Sequence, residues 1–171
     1  MLETERLILR PLTGADFDDF AAMLVPEVTG GLAEPVGDSP DDAWRSLASY
    51  IGHHEIRGFS HWAVIEKDTG RFAGHAGPWQ PHGFPGLGIG WCLAREHWGK
   101  GYATEAAQAA LAYCFSALDA DDVISVILPG NHRSIAVAER IGHTHLHDTE
   151  YRGRTVHIYG QKRSVNEEAA P

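Results

Sequence analysis

The sequence predicts one α/β domain built on a mixed sheet with flanking helices. At 171 residues, the chain has the length of about one domain of roughly 150 residues. Apolar residues recur at every second position in some segments, as in strands, and at every third or fourth position in others, as in helices. These segments follow one another in the order β-α-α-β-β-β-α-β-α-β-β. The contents of 43% hydrophobic and 22% charged residues are ordinary for a globular protein and exclude a disordered or fibrous chain.

The N-terminal segment predicts a strand followed by a helix. Residues 6–10 (RLILR) place three apolar residues between charged ends and are followed by a proline, which is typical of a strand. Thr13 lies three residues before Asp16, an arrangement that favours an N-cap. Apolar residues then follow at helical spacing over 17–24, so a helix is predicted there.

The next segment predicts a loop, a helix and three strands. Residues 26–37 contain glycine and proline and predict a loop. Ser39, followed by a proline, is placed as the cap of a helix whose apolar stripe covers 44–51. The three strands are predicted at 59–66, 71–77 and 87–94, the first two joined by an Asp-Thr-Gly turn.

The C-terminal half contains the strongest helix signal. Residues 102–118 carry alanines, leucines and a cysteine on one face. A short β-branched run at 123–128 predicts a buried strand. Asn131 is placed to cap a helix that ends near Gly142, and residues 143–162 predict two more strands.

The composition excludes several classes of protein. With 14 Lys and Arg against 23 Asp and Glu, the formal charge is −9, so no nucleic-acid partner is expected. No apolar run approaches the roughly 18 residues of a membrane helix, and the acidic N-terminus is unlike a secretory signal. Cys92 and Cys114 lie among apolar residues, as reduced thiols do. We therefore expect a cytoplasmic protein without a membrane partner, and the sequence specifies no oligomeric state.

A glycine-rich turn lies between a predicted strand and the longest predicted helix, within residues 91–106 (WCLAREHWGKGYATEA). Free N–H groups at a helix start, with glycines that let a ligand approach, favour binding of a phosphate. The same glycines would also serve a tight turn that binds nothing. A P-loop would need glycine at Ala94, and a dinucleotide fingerprint would need it at Trp91, so neither motif is present.

Three motifs in order resemble one family. Residues 99–106 (GKGYATEA) resemble the acetyl-CoA signature of the GCN5-related N-acetyltransferases (GNATs). Residues 4–10 (TERLILR) and 131–142 (NHRSIAVAERIG) are similar to the RimJ/RimL branch, the ribosomal-protein Nα-acetyltransferase type. The resemblance extends over residues 3 to 162.

The resemblance implies a GNAT-like domain at 1–163 with a mostly antiparallel sheet, followed by a polar tail at 164–171. It implies an acetyl-CoA-dependent enzyme without a metal, which moves the acetyl group directly to a primary amine of a protein N-terminus or small molecule. The implied cofactor-binding residues are Cys92, Leu93, Ala94, Trp98, Gly99, Lys100, Gly101, Tyr102, Ala103, Thr104 and Asn131.

Two residues are candidates for the proton transfers that amine acetylation needs. Ser134, three residues after Asn131, is placed to protonate the leaving thiolate, or alternatively to bond its own helix backbone. His75 is the candidate base, or alternatively a packed core residue.

The chain also departs from the family pattern. Glu96 stands where the family turn usually has Gln or Arg, and Ala138 stands where many relatives have a tyrosine acid. His143 replaces a usual phenylalanine, and the carboxylate that often precedes the aromatic at Trp91 is absent. Because of these departures, a non-catalytic acyl-CoA-binding module is an alternative function for this protein.

Two further groups of residues are open to more than one interpretation. Trp44, Trp79, Trp98 and Tyr151 either wall an acceptor cleft or pack in the core. The alternating histidines 143, 145 and 147 would share one face of a strand and could bind a transition metal, although a solvated strand is the commoner case.

Overall fold

The computed structural model describes residues 1–34, 36–37 and 39–163, and they form one sheet with helices on both faces. In chain order the strands are β1 (Leu2–Glu3), β2 (Leu7–Pro11), β3 (Trp62–Glu66), β4 (Phe72–Trp79), β5 (Gly88–Leu93), β6 (Asp122–Ile127), β7 (Thr144–Tyr151) and β8 (Arg154–Lys162). The α-helices are α1 (Phe17–Met23), α2 (Pro26–Thr29), α3 (Pro40–Arg57), α4 (Tyr102–Ser116) and α5 (His132–Arg140).

The eight strands lie in the order β1-β2-β3-β4-β5-β6-β8-β7. Each described neighbouring pair is antiparallel except β5 and β6, which are parallel because α4 crosses over between them. The predicted fold class, a mixed and mostly antiparallel sheet with flanking helices, is therefore confirmed.

The sheet opens between its two parallel strands. Pairing of β5 with β6 is limited to the register pair Gly88 and Ile124, supported by a hydrogen bond from the Ser125 hydroxyl to the Ile89 carbonyl at 3.2 Å. Strand β5 continues to Leu93 against β4, without a β6 partner among the described residues. A parallel sheet that separates in this way leaves backbone groups of β5 free on one side.

Residues of β5 alternate between two cores, one on each face of the sheet. Leu93 packs with α4 and α5, whereas its neighbour Cys92 packs with α1 and α3. The core against α4 consists largely of its small residues, Ala106, Ala107, Ala110 and Cys114. Small side chains bring α4 close to the sheet, and this places its first turn beside the end of β5.

Several boundaries differ from the sequence predictions. The predicted loop at 26–37 contains the short helix α2, because Pro26 fits a first helical position and Val28 is buried. Helix α3 extends to Arg57, where Gly58 ends it with a left-handed backbone (φ 79°). The strand predicted from residue 59 consequently begins only at Trp62.

Two other expectations concern the C-terminal tail and membrane-spanning helices. The predicted polar tail at 164–171 lies outside the described residues. Among the helices that are described, none combines the length and the apolar character that crossing a bilayer requires.

Candidate functional site

A cavity of about 1020 Å³ lies where β5 and β6 separate. Its wall includes the end of β5, the glycine turn, and the first turns of α4 and α5. At the opposite end it reaches residues of α3 and β4. The opened sheet therefore connects a helix N-terminus to a buried pocket.

The glycine turn has the backbone that its sequence predicts. Gly99 and Gly101 have φ values of 76° and 83°, a region that glycine adopts without strain. Gly101 is the N-cap of α4 and provides no side-chain cap, so the first N–H groups of the helix are available to a ligand. A β-carbon at Gly101 would lie 3.3 Å from the Arg6 guanidinium, so the space beside the turn is narrow.

A long-range ion pair holds this turn against the N-terminal segment. Arg6 donates through Nε to Glu105 at 2.7 Å and through Nη1 to the Lys100 carbonyl at 2.8 Å. Glu105 also accepts from the Thr4 hydroxyl at 2.5 Å. The pKa of Glu105 is lowered, because these hydrogen bonds outweigh the cost of its partial burial. The start of α4 is thus tied to the edge of β2.

Cationic side chains stand at the outer end of the cavity in this acidic protein. Arg6, Arg133 and Arg140 line it, and the Arg133 guanidinium lies 3.8 Å from the centre of the Trp98 ring. Trp98 is itself fixed by a hydrogen bond from its indole to the Leu93 carbonyl at 2.8 Å. These arginines can neutralise a polyanionic ligand that approaches the turn.

Two other basic residues near the glycine turn lie close to acidic side chains. Arg95 lies 3.7 Å from Glu27, and Lys100 lies 3.6 Å from Glu66. Neither basic side chain belongs to the cavity wall. The basic residues that line the cavity beside the turn, Arg133 and Arg140, come instead from a separate helix, α5.

Asn131 has two structural roles at the start of α5. Its side-chain oxygen accepts from the Ser134 N–H at 3.2 Å, which confirms the predicted cap. Its amide donates to the Gly31 carbonyl at 2.9 Å and so links α5 to the loop after α2. Ser134 lines the cavity, and its hydroxyl makes no hydrogen bond within the described part of the chain.

Two buried histidines form the inner end of the cavity. The Nδ1 atoms of His61 and His75 are 2.8 Å apart, so one ring donates to the other. Both rings lie 4.8 Å from the Tyr50 ring. Burial lowers the pKa of His75 to about 3, and it also lowers that of His61, together with the nearby His75. The pair is neutral at pH 7.

Sequence reasoning identified His75 and missed His61. A β-carbon at Gly90 would lie 2.9 Å from Cε1 of His61, so glycine at this position leaves space for the ring. Gly90 stands next to the position where the family carboxylate is absent. The missing side chain of Gly90 was the available signal, but the residue that fills the space, His61, comes from the segment just before β3.

Most of the predicted cofactor-binding residues line the cavity. Ala94 and Lys100 do not, since Ala94 bonds through its N–H to the Ala73 carbonyl at 3.0 Å and packs in the core. Cys92 lines the cavity but is buried, and burial raises the pKa of its thiol to about 12. A thiol with that pKa stays protonated and is a poor nucleophile.

The predicted aromatic wall is only partly present. Trp79 and Trp98 line the cavity, whereas the side chain of Trp44 is 60% exposed. Tyr151 is buried and donates to Glu34 at 2.7 Å, and Trp79 donates to the same carboxylate at 3.3 Å. Glu34, which the sequence did not single out, is therefore the carboxylate that two buried rings hold at the cavity wall.

The predicted histidine row does not form. His143 is buried before β7 begins, and burial lowers its pKa to about 4. A register shift between His145 and His147 pairs the former with Tyr159 and the latter with Ile158. Because Tyr159 and Ile158 point to opposite faces, the two histidines do as well.

The fold and the cavity define an acyltransferase-type protein, in which an opened sheet and a helix N-terminus share one cleft. A family model described as an acetyltransferase (GNAT) domain matches residues 6–144. The chain belongs to the GNAT family of acetyltransferases.

Relatives of known sequence agree with this membership. The protein YkkB of Bacillus subtilis is 38% identical over 107 residues, which are 61% of this chain and 62% of YkkB. This match therefore spans less than two thirds of YkkB. The uncharacterized N-acetyltransferase p20 of Bacillus licheniformis is 30% identical over 165 residues, 92% of either chain.

Solved structures share the architecture. An acetyltransferase from Agrobacterium tumefaciens has a TM-score of 0.84 and 32% identity, covering 95% of this chain and 94% of its own. RimL, described as a ribosomal L7/L12 alpha-N-protein acetyltransferase in complex with coenzyme A, has a TM-score of 0.74 and 20% identity, with coverages of 93% and 95%. The RimL similarity establishes a common fold.

The buried neutral state of His75 predicts acid sensitivity of the fold. An unfolded histidine titrates near pH 6.5, whereas the pKa of folded His75 is about 3. Between these values the unfolded chain binds more protons, so the free energy of unfolding falls as the pH falls. His75→Gln should reduce this slope between pH 4 and 6 by up to about 1.4 kcal/mol per pH unit, measured by denaturant titration.

The matched control for this measurement is His82→Gln. His82 is exposed, so its replacement should leave the slope as it is in the wild type. A His75→Gln variant with the wild-type slope would contradict the neutral buried state.

Proposed function

We propose that this protein is an acetyl-CoA-dependent N-acetyltransferase that moves the acetyl group directly to a primary amine. The observation that carries the proposal is the meeting of three features in one cavity. They are the glycine turn at the start of α4, the unpaired end of β5, and a buried pair of imidazoles. A thioester bound along β5 would lie between a phosphate site at the glycine turn and a hydrogen-bond acceptor in the imidazole pair.

The outer end of the cavity would hold the phosphates of acetyl-CoA. The free N–H groups and the positive dipole end of α4 favour an anion there. Arg133 and Arg140 add positive charge, and the ion pair of Arg6 with Glu105 holds the turn in place. Relatives within the GNAT family, including the RimL structure with coenzyme A, support this placement.

The unpaired edge of β5 would orient the thioester. The carbonyl of Ile89 faces β6, where it accepts from Ser125, and backbone groups point to the same side at every second residue. The N–H groups of Trp91 and Leu93 therefore face the gap. Donors fixed at this position can align the pantetheine arm and stabilise the oxyanion that forms during transfer.

The nucleophiles in the cavity wall fit a direct transfer of the acetyl group better than a transfer through an acyl-enzyme intermediate. Cys92 is the cysteine in the cavity wall, and its raised pKa of about 12 keeps it protonated at neutral pH. An attack by the amine on the thioester needs no such intermediate, provided that the two reactants are held in contact.

His75 would accept a hydrogen bond from the attacking amine, with His61 fixing its tautomer. Since the Nδ1 atoms share one proton, donation from His75 to His61 leaves Nε2 of His75 as the acceptor. The low pKa of about 3 suits hydrogen-bond acceptance better than storage of a proton. The proton would then leave through water in the cavity.

Ser134 would pass a proton to the leaving thiolate and regain one from water in the cavity, the route by which the amine proton leaves. Its hydroxyl lines the cavity without a hydrogen-bond partner in the described chain, on the first turn of the helix that Asn131 caps. Ala138, at the position of the acid in many relatives, has a methyl side chain without a transferable proton and cannot take this role.

The acceptor is a primary amine of a protein N-terminus or of a small molecule. The name of RimL specifies alpha-N-acetylation of a ribosomal protein, which supports the first of these. The second candidate function is a non-catalytic acyl-CoA-binding module, which the absence of a carboxylate just before Gly90 favours. The two functions differ in whether an amine causes release of the CoA thiol.

The first prediction tests the cofactor. Acetyl-CoA should raise the melting temperature, because it binds the folded chain alone. Gly101→Val should lower the affinity about tenfold or more, since a branched side chain would crowd the turn and resist φ of 83°. Titration calorimetry measures the affinity. The matched control is Gly58→Val, which strains a φ of 79° at the open end of α3, away from the cavity.

Assays on the wild-type protein decide between an acetyltransferase and a non-catalytic acyl-CoA-binding module. Thiol release from acetyl-CoA with a panel of primary amines, and a mass gain of one acetyl group on the amine, would establish catalysis. Binding without release across peptide N-termini and small amines would identify a binding module. A folded protein that shows no thermal shift at millimolar acetyl-CoA would exclude both.

The next prediction concerns Ser134→Ala, which should lower kcat more than it lowers acetyl-CoA affinity. An acid that acts in the transition state contributes about 10²- to 10⁴-fold. A thiolate is a good leaving group, so we expect the lower end of this range. Steady-state kinetics with the best acceptor measures kcat, and calorimetry measures the affinity.

Asn131→Ala is the comparison variant, because it removes the cap and the link to Gly31. It should weaken cofactor binding and cost about 1 kcal/mol of stability. An unchanged kcat in Ser134→Ala would assign the proton to water or to another residue.

A further inference from the structure

Three side chains with metal-binding atoms converge on the hairpin of β7 and β8. The carboxylate oxygen Oδ1 of Asp148 lies 2.8 Å from Nε2 of His145 and 2.6 Å from Nδ1 of His157. All three atoms lie within 4.8 Å of one another. None of the three residues belongs to the wall of the large cavity, so the cluster is separate from the candidate active site.

The irregular register of the hairpin produces this convergence. His145 pairs with Tyr159, and Asp148 pairs with His157 two residues earlier in β8. Residues two apart on a strand point to the same face, so His145, Asp148 and His157 project together. In a regular strand, His145 and Asp148 would face opposite sides, because they are three positions apart. The bulge at Leu146 brings them to one side.

The three donors match the preferences of a late first-row transition metal. Two imidazole nitrogens and one carboxylate oxygen suit Zn²⁺ and its neighbours, whereas Mg²⁺ and Ca²⁺ prefer oxygen ligands alone. Within the described salt bridges, Asp148 pairs only with His145 and His157.

We propose that His145, Asp148 and His157 form a binding site for one Zn²⁺ ion that joins β7 to β8. Zinc bonds of roughly 2.0–2.2 Å at tetrahedral angles need donor atoms about 3.3–3.6 Å apart. The two separations from Asp148, 2.6 Å and 2.8 Å, would widen modestly, and the two imidazole nitrogens, which lie within 4.8 Å of each other, would take up the same spacing. The side chains of His145 and Asp148 are 46% and 54% exposed, which leaves them free to rotate and leaves room for water as a fourth ligand.

The position in the sheet indicates a structural role for this ion. Among the described residues, strand β7 is at the edge of the sheet and pairs with β8. Asp148 and His145 belong to the edge strand, and His157 belongs to β8. A bound ion would therefore connect the edge strand to the sheet and resist its opening, since metal that binds the folded state alone stabilises it.

Calorimetric titration of the full chain with ZnCl₂ tests the site. We expect one Zn²⁺ per chain, a higher melting temperature with Zn²⁺ present, and no comparable effect of MgCl₂. His157→Ala and, separately, Asp148→Asn should each weaken Zn²⁺ binding about tenfold or more. Two variants are used because the exposed Asp148→Asn exchange keeps the fold even where a histidine replacement disturbs it.

The matched control is His147→Ala, which removes an imidazole from the same strand but from the opposite face. It should bind Zn²⁺ as the wild type does, which separates the site from general binding by the 11 histidines. The proposal is overturned if the wild type binds no stoichiometric Zn²⁺, or if His157→Ala and Asp148→Asn both retain wild-type affinity.

Discussion

The separation of β5 from β6 is the constraint on which the rest of the molecule depends. A parallel pair of strands that stayed together would satisfy the backbone of β5 and close the cavity. After the register pair of Gly88 and Ile124, the strands diverge instead, and the resulting gap receives the first turns of α4 and α5. Backbone donors without a partner in the chain are costly unless water or a ligand binds them. The opened sheet therefore leaves backbone donors that need a ligand or water, and the proposed acetyltransferase function uses these donors to bind the thioester.

Two long-range contacts keep the rims of this gap in place. Arg6 joins the N-terminal segment to the glycine turn through Glu105 and the Lys100 carbonyl. Asn131 joins α5 to the loop after α2 through the Gly31 carbonyl. Each contact spans about 100 residues of sequence, so each depends on the complete fold. A turn held in this way is organised before the ligand arrives, which reduces the ordering cost of binding.

The inner end of the cavity combines polar chemistry with burial. His61 and His75 hydrogen-bond to each other between aromatic rings, and burial keeps both imidazoles neutral. A neutral pair can accept a hydrogen bond from an amine without repelling a cationic acceptor before it binds. The same burial makes the fold sensitive to acid, because protonation is more favourable in the unfolded chain. The proposed amine binding and the stability of the fold thus depend on the same pair of rings.

The sequence by itself determined the fold class, the glycine turn and the Asn131 cap, because local patterns specify these features. Periodicity, the spacing of Gly99 and Gly101, and a capping side chain act within a few residues. The tertiary structure alone decided that His61 joins His75, that Arg133 replaces Lys100 at the cavity, and that the bulge at Leu146 separates His145 from His147. Those outcomes depend on the register between strands and on which helix packs beside the turn, and both are set by packing across the whole domain.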